Sequence, residues 1–146
     1  MSEKIKSAFI GTGYIGKVQI SQLLRLKPKV SVEAIVEKNA DLGKQIAEEF
    51  EIQEVYSDYH DVLNDPKIQV IHNCTPNNIH FKINKEAIEK GKHVFSEKPL
   101  AISAEDGLEL ARLAKRHNVE AGVNFCYRYY PVVQDARVRI KNGEIG

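Results

Sequence analysis

The feature that most narrows what this chain can fold into is Gly11-Thr12-Gly13-Tyr14-Ile15-Gly16, three glycines spaced GxGxxG where one hydrophobic periodicity gives way to another. Upstream, Ile5 to Ile10 is a short apolar run that suits a buried strand. Downstream, Val18, Ile20, Leu23, Leu24 and Leu26 recur at helical spacing until Pro28 ends the pattern. At a strand-to-helix turn of this kind Gly11 permits the tight reversal, Gly13 lets backbone approach a pyrophosphate, and Gly16 lets the helix sit close on the strand. The helix start then aims unpaired N–H groups and the positive end of its dipole at the anion, so binding needs no basic side chain. A lone GxGxxG also occurs as a purely structural turn, and the residues downstream of it decide between the two readings.

Val30 to Val36 returns to a β-type run and stops at Glu37, about 20 positions after Gly16, where a dinucleotide fold places an acid against the adenosine ribose. A carboxylate only accepts hydrogen bonds, so it suits two free hydroxyls and repels a 2′-phosphate; NAD is expected and NADP disfavoured, although Lys38 next door could approach a phosphate. A second helix opens at Asn39 or Asp41, with Leu42, Ile46, Ala47 and Phe50 on one face. A short strand at Glu54 to Tyr56, a helical turn over Ser57 to Asn64 and a fourth strand at Gln69 to Asn73 come next. Pro76 fixes the turn just past that strand, where Thr75, Asn77 and His80 crowd hydrogen-bonding groups.

The helix from Ile79 to Lys90 ends at Gly91, His93 to Ser96 forms a fifth strand, and Glu97-Lys98-Pro99 follows it. Ser103 with Asp106 opens a helix to about Asn118, Val119 to Phe125 is a sixth strand, and Pro131 starts a last helix terminated at Gly143. Strands alternating with helices predict an α/β fold with a doubly wound parallel sheet in the order 3-2-1-4-5-6. The glycine turn, Glu37, the Thr75–His80 segment, Glu97–Pro99 and the segment around Arg128 then share one sheet edge, where such folds bind dinucleotides.

Composition excludes several alternatives. The 146 residues carry a formal net charge of +1 with both signs interspersed, which gives no support to a nucleic-acid partner. No apolar run approaches the roughly 18 residues of a membrane span, and no secretory signal is present, so a cytoplasmic location is expected. Cys74 and Cys126 stand alone without metal-ligand spacing, and are expected as reduced, buried thiols at strand ends; no metal is expected.

Gly11 to Gly16, Thr75-Pro76-Asn77-Asn78-Ile79-His80, Gly91 to Leu100 with its Glu97-Lys98-Pro99, and Lys141 to Gly146 together resemble the glucose-fructose oxidoreductase and inositol dehydrogenase family (Gfo/Idh/MocA), over essentially the whole chain. The Glu-Lys-Pro motif after a Gly-Lys-His-Val strand is far more specific than the glycine turn. The resemblance implies a Rossmann domain over residues 1–126 and a junction segment, 127–146, leading to an α+β substrate domain that usually makes the oligomer contact. It implies an NAD-dependent oxidoreductase acting on a secondary alcohol of a sugar, sugar derivative or cyclitol, homo-oligomeric at full length. Gly11, Thr12, Gly13, Tyr14, Ile15 and Gly16 would hold the pyrophosphate, and Glu37 the adenosine ribose, where the family more often has Asp. Thr75, Pro76, Asn77 and His80 would line the middle of the cofactor. Glu97 would reach the nicotinamide ribose, Lys98 would stand beside the reacting carbon as the catalytic residue, and Arg128 would lie at the domain junction. The family's usual Asp and His from the second domain have no counterpart here, so the fragment alone is expected to be inactive. Tyr127, Tyr129 and Tyr130 are expected to pack against that second domain in preference to forming a sugar-stacking platform, and His93 to be a satisfied strand histidine. Two other readings remain: a stand-alone, non-catalytic nucleotide-sensing or interaction module, and a methyltransferase, against which the Glu-Lys-Pro context argues.

Overall fold

The computed structural model describes residues 4–145, so Gly146, the last residue of the expected junction segment, and the first three of the expected domain lie outside the described residues. The elements are β1 (Ile5–Ile10), α1 (Tyr14–Leu24), β2 (Val30–Val36), α2 (Ala40–Phe50), β3 (Glu54–Tyr56), α3 (Tyr59–Asn64), β4 (Val70–Asn73), α4 (His80–Glu89), β5 (His93–Ser96), α5 (Ala104–His117), β6 (Ala121–Val123) and α6 (Pro131–Lys141). Short 3-10 turns occupy Asn77–Ile79 and Cys126–Tyr129. The strands form one all-parallel sheet in the order β3-β2-β1-β4-β5-β6, the doubly wound Rossmann arrangement that the alternation predicts.

Alternation along the strands, displaced by one residue in β2 where its register with β1 shifts after Val32, sends side chains to two separate cores. Ala8, Ile10, Ala34, Val36 and Ile71 meet Val62 and Leu63 of α3, Ile83, Ala87 and Ile88 of α4, and Leu110, Leu113 and Ala114 of α5. Phe9, Val32 and Ile35 point the other way, onto Ile20 of α1 and Ile46 and Ala47 of α2. Covered on both faces, the C-terminal stretches 8–10 of β1 and 34–36 of β2 are continuously apolar and buried, which is why these two strands read as hydrophobic runs.

Register decides where the chemistry goes. Tyr56 pairs with Val36, Val36 with Ile10, Ile10 with Asn73, Asn73 with Ser96 and Ser96 with Val123, so the last residues of all six strands stand in one row. The next residue of each strand therefore starts from the same rim: Ser57, Glu37, Gly11, Cys74, Glu97 and Asn124. Gly11 and Glu97 leave strands two apart, about 10 Å across the sheet.

Several boundaries differ from the sequence reading. α1 ends at Leu24 rather than Pro28, because Pro28 has no N–H to donate and its ring would clash with the Leu24 carbonyl four residues back; the chain tightens into turns, with Arg25 N–H donating to the Gln22 carbonyl at 3.2 Å and Leu26 N–H to that of Leu23 at 2.9 Å. β6 covers only Ala121–Val123 of the expected 119–125, since its sole neighbour β5 is four residues long and Val119 N–H is used to close α5 on the Ala114 carbonyl at 3.1 Å. Cys126 is exposed in a 3-10 turn instead of buried at a strand end, while Cys74 is half-buried just past β4. Of the two candidate caps for α2, Asn39 takes the position: its side chain accepts from Leu42 N–H at 3.1 Å. Ser103 caps α5 in the same way, through Asp106 N–H at 3.0 Å. His93 is satisfied as expected, its ring Nδ1 accepting from Glu120 N–H at 2.9 Å. Among the described residues no helix is long and apolar enough to cross a membrane.

Candidate cofactor site

The three glycines of the turn do different work. Gly11 sits at φ +89°, and a Cβ there would lie 2.7 Å from the Cys74 carbonyl oxygen, so β1 leaves the sheet hard against the end of β4. A Cβ at Gly16 would lie 2.4 Å from the Gly11 carbonyl oxygen, which fixes how closely α1 returns over the turn. At Gly13 a Cβ would meet nothing within 4 Å. Gly13 is also the N-cap of α1, which has neither a side-chain cap nor an acidic residue in its first turn. Among the described residues no side chain caps the first amides of α1, which leaves a cradle suited to a diphosphate.

That space opens into a cleft of about 820 Å³ lined by Ile10 to Gly13, Val36 to Lys38, Ser57 to Tyr59, Cys74 to Pro76, Ile79, Lys82 and Ile83. Glu37 stands in its wall, half-buried, with Oε2 accepting from the hydroxyl of buried Thr12 and Oε1 from Asn39 N–H at 3.1 Å. Both donors are neutral. The remaining lone pairs of the carboxylate are open to ligand hydroxyls. In the same lining, hydrogen bonds from the His60 backbone and ring hold Asp58 below the usual carboxylate range. Burial and a hydrogen bond to Glu86 push the Tyr59 phenol up to about 12, so it stays a neutral donor. Burial, reinforced by the charge of Glu97, pushes the Cys74 thiol up to about 12 as well, which removes it as a nucleophile at neutral pH.

Of the residues singled out from sequence, Gly11, Thr12, Gly13, Glu37, Thr75 and Pro76 line this one cleft. Gly16 supports it from beneath, while Tyr14 and Ile15 are exposed on the first turn of α1. Asn77 is exposed in the 3-10 turn and Lys98 on the loop after β5; Arg128 is exposed in the last turn before α6. His80 is fully buried behind the cleft rather than on its wall. Its Nε2 lies 2.7 Å from the Thr75 carbonyl oxygen and its Nδ1 2.7 Å from that of Pro99, so one ring spans the two loops that leave β4 and β5. Glu97 is buried, not displayed, and is bound to α1 through Gln19 and to the end of β6 through Asn124.

Sequence reading missed the buried bracket beneath these loops. Asn73 Nδ2 donates to Asn84 Oδ1 at 2.8 Å, Asn84 Nδ2 donates to Ser96 Oγ at 2.9 Å, and the Thr75 hydroxyl donates to Asn73 Oδ1 at 2.6 Å. It ties the ends of β4 and β5 to α4, and the signal for it was an Asn placed last in a buried strand. Ser57, Asp58, Tyr59 and Lys82 were also missed as cleft residues, although the first three follow β3 at the same rim.

An open parallel sheet with a bare helix start and an acceptor carboxylate on one rim defines a dinucleotide-binding protein of the oxidoreductase type. Residues 5–125 match the family described as "Oxidoreductase family, NAD-binding Rossmann fold" (Gfo/Idh/MocA), and the chain belongs to it as its N-terminal NAD-binding domain. It is 35% identical over its whole length to the oxidoreductase YrbE of Bacillus subtilis, covering 42% of that protein, and 31% identical to the scyllo-inositol 2-dehydrogenase (NAD(+)) of the same organism, covering 43%. Among solved structures it aligns with levoglucosan dehydrogenase in complex with NADH and levoglucosan at a TM-score of 0.85 and 31% identity, over 99% of this chain and 41% of that one. The chain thus spans about two fifths of the length of the relatives it matches.

Proposed function

We propose that residues 1–126 bind NAD for an oxidoreductase whose full-length form moves a hydride between the nicotinamide and a secondary alcohol of a sugar, sugar derivative or cyclitol, with 127–146 leading to the substrate-binding part. The observation that carries this is the open backbone of Gly13 and the Glu37 carboxylate in one cleft: an anion cradle and a hydroxyl acceptor placed for the two ends of an adenosine diphosphate. The substrate class is supported by the relatives, which are named for scyllo-inositol and levoglucosan.

In this reading the first amides of α1 bind the diphosphate, Glu37 takes the ribose hydroxyls, and Thr75, Pro76 and Asn77 flank the middle of the cofactor. His80 holds the loops carrying them. Bound NAD supplies a hydride acceptor that becomes a donor when reduced. Alcohol oxidation also requires loss of the hydroxyl proton, and the ammonium group of Lys98, exposed at the rim beside Glu97, can polarise that oxygen and relay its proton. Arg128, Tyr127, Tyr129 and Tyr130, all exposed, belong to the segment that would lead into a substrate-binding part.

Fluorescence titration with NADH and NADPH tests the cofactor half. NADH is expected to bind more tightly, and no binding of either at millimolar concentration refutes the assignment. In the full-length protein, Lys98→Ala is expected to leave NADH affinity within about twofold while turnover of polyols falls by about two to four orders of magnitude.

A further inference from the structure

Among the described residues Glu97 is the one buried carboxylate, 7% exposed, and no Lys, Arg or His forms an ion pair with it. Its charge is held instead by neutral donors from three directions. Gln19 Nε2 of α1 donates to Oε1 at 2.7 Å, Asn124 Nδ2 after β6 donates to the same oxygen at 2.5 Å, and Lys98 N–H donates to Oε2 at 3.2 Å.

Gln19 is itself oriented from behind. A carboxylate only accepts, so the amide NH₂ of Gln19 must face Glu97 and its oxygen must face His72 Nδ1, 3.3 Å away. The His72 ring is stacked on Phe9, centroids 4.2 Å apart, with Phe95 at its edge. Burial pulls its pKa down to about 4, so the ring is neutral and brings no cation to the network. The donor order is thereby set as His72 to Gln19 to Glu97. The charge of Glu97 adds to burial in raising the thiol of Cys74, a residue that lines the cleft.

We propose that Gln19 is a positioning residue that fixes the Glu97 carboxylate, paired with no cation, on the rim at the nicotinamide half of the sheet, where it favours the oxidised, cationic cofactor over the reduced, neutral one. This rests on the proposed NAD-binding function, with Glu97 following β5 in the half of the doubly wound sheet opposite the one that carries the glycine turn and takes the adenosine. A negative charge held by dipoles stabilises a positive ring in a low-dielectric setting, and that attraction vanishes when hydride transfer neutralises the ring. The bound couple is therefore biased toward NAD⁺.

The readout is the ratio of NAD⁺ to NADH dissociation constants, each measured by calorimetry. Gln19→Met keeps the length and shape of the side chain and removes both polar contacts. It is expected to weaken NAD⁺ about fivefold and NADH by less than about twofold. Glu97→Gln, which keeps the size and can still accept from both amides, is expected to move the ratio in the same direction by about tenfold. Gln19→Met added to Glu97→Gln is expected to leave the ratio where Glu97→Gln set it. Equal losses for both cofactor forms, or a full second shift in the double variant, overturn the proposal. If Gln19→Met does not fold, an unchanged ratio in Glu97→Gln overturns it alone. Failure of the unsubstituted chain to bind either form removes the cofactor reading itself, and this inference with it.

Discussion

Two single-methyl substitutions in the glycine turn separate binding from folding. At Gly16 an alanine Cβ would lie 2.4 Å from the backbone oxygen of Gly11, closer than any real contact of that kind, and neither partner is a side chain that can swing away. Overpacking of that sort costs about 1–3 kcal/mol or more, against about 1 kcal/mol gained from replacing glycine inside a helix, so a net loss of roughly 2 kcal/mol is expected. In a domain of this size that lowers the melting temperature by about 6 °C. At Gly13 the added Cβ meets nothing, and φ −61°, ψ −173° is open to any residue. The poorer N-cap and the reduced entropy of the unfolded chain roughly cancel at about 0.5–1 kcal/mol each, so stability is unchanged. The methyl group occupies the space where a diphosphate would meet the first amides of α1. Losing or lengthening one or two charge-assisted hydrogen bonds costs about 1.5–3 kcal/mol, or about 10- to 100-fold in NADH affinity. Thermal melts by circular dichroism with parallel NADH titrations read both effects. A Gly13→Ala variant that melts early yet binds NADH normally would refute the assignment of that space to the cofactor.

Thr12→Val removes the hydroxyl that holds Glu37 Oε2; the freed carboxylate is expected to swing, narrowing the preference for NADH over NADPH by about three- to tenfold in paired titrations. The depressed pKa of His72, about 4 against 6.5 unfolded, means the unfolded chain binds the extra proton first. Stability is complete above about pH 6.5 and falls by about 3 kcal/mol as the pH drops to 4; His72→Phe is expected to flatten this stretch of the melting-temperature profile. At pH 8, Ellman's reagent is expected to label Cys126 rapidly and Cys74 only on unfolding, as one is exposed and the other is half-buried with its thiol raised. Two fast thiols would contradict the packing at the end of β4.

Much of the site was legible because its signals are local. A glycine that must adopt φ +89° or admit a passing strand can be only glycine, so Gly11 and Gly16 mark the turn wherever they occur. Glu37 was legible because a strand of fixed length follows a helix of fixed length. His80 and Glu97 show the opposite case. Both look like ligands in a row of polar residues, yet one is a buried strut between two carbonyls and the other is sunk into a network spanning α1, β5 and β6. Gln19, three residues past the last glycine, looks in the sequence like any polar position on a helix.

The order of strands, the two buried faces, the anion cradle and the acid at the end of β2 are set by periodicity and by backbone demands that act over a few residues, and the amino-acid sequence determines them alone. Which polar groups meet is decided by register: six strand ends stand in one row and bring Gln19 to Glu97 across 78 positions of chain. A hydrogen bond made over that distance leaves no periodic trace, because it depends on how sheet and helix pack and not on the spacing of residues along either.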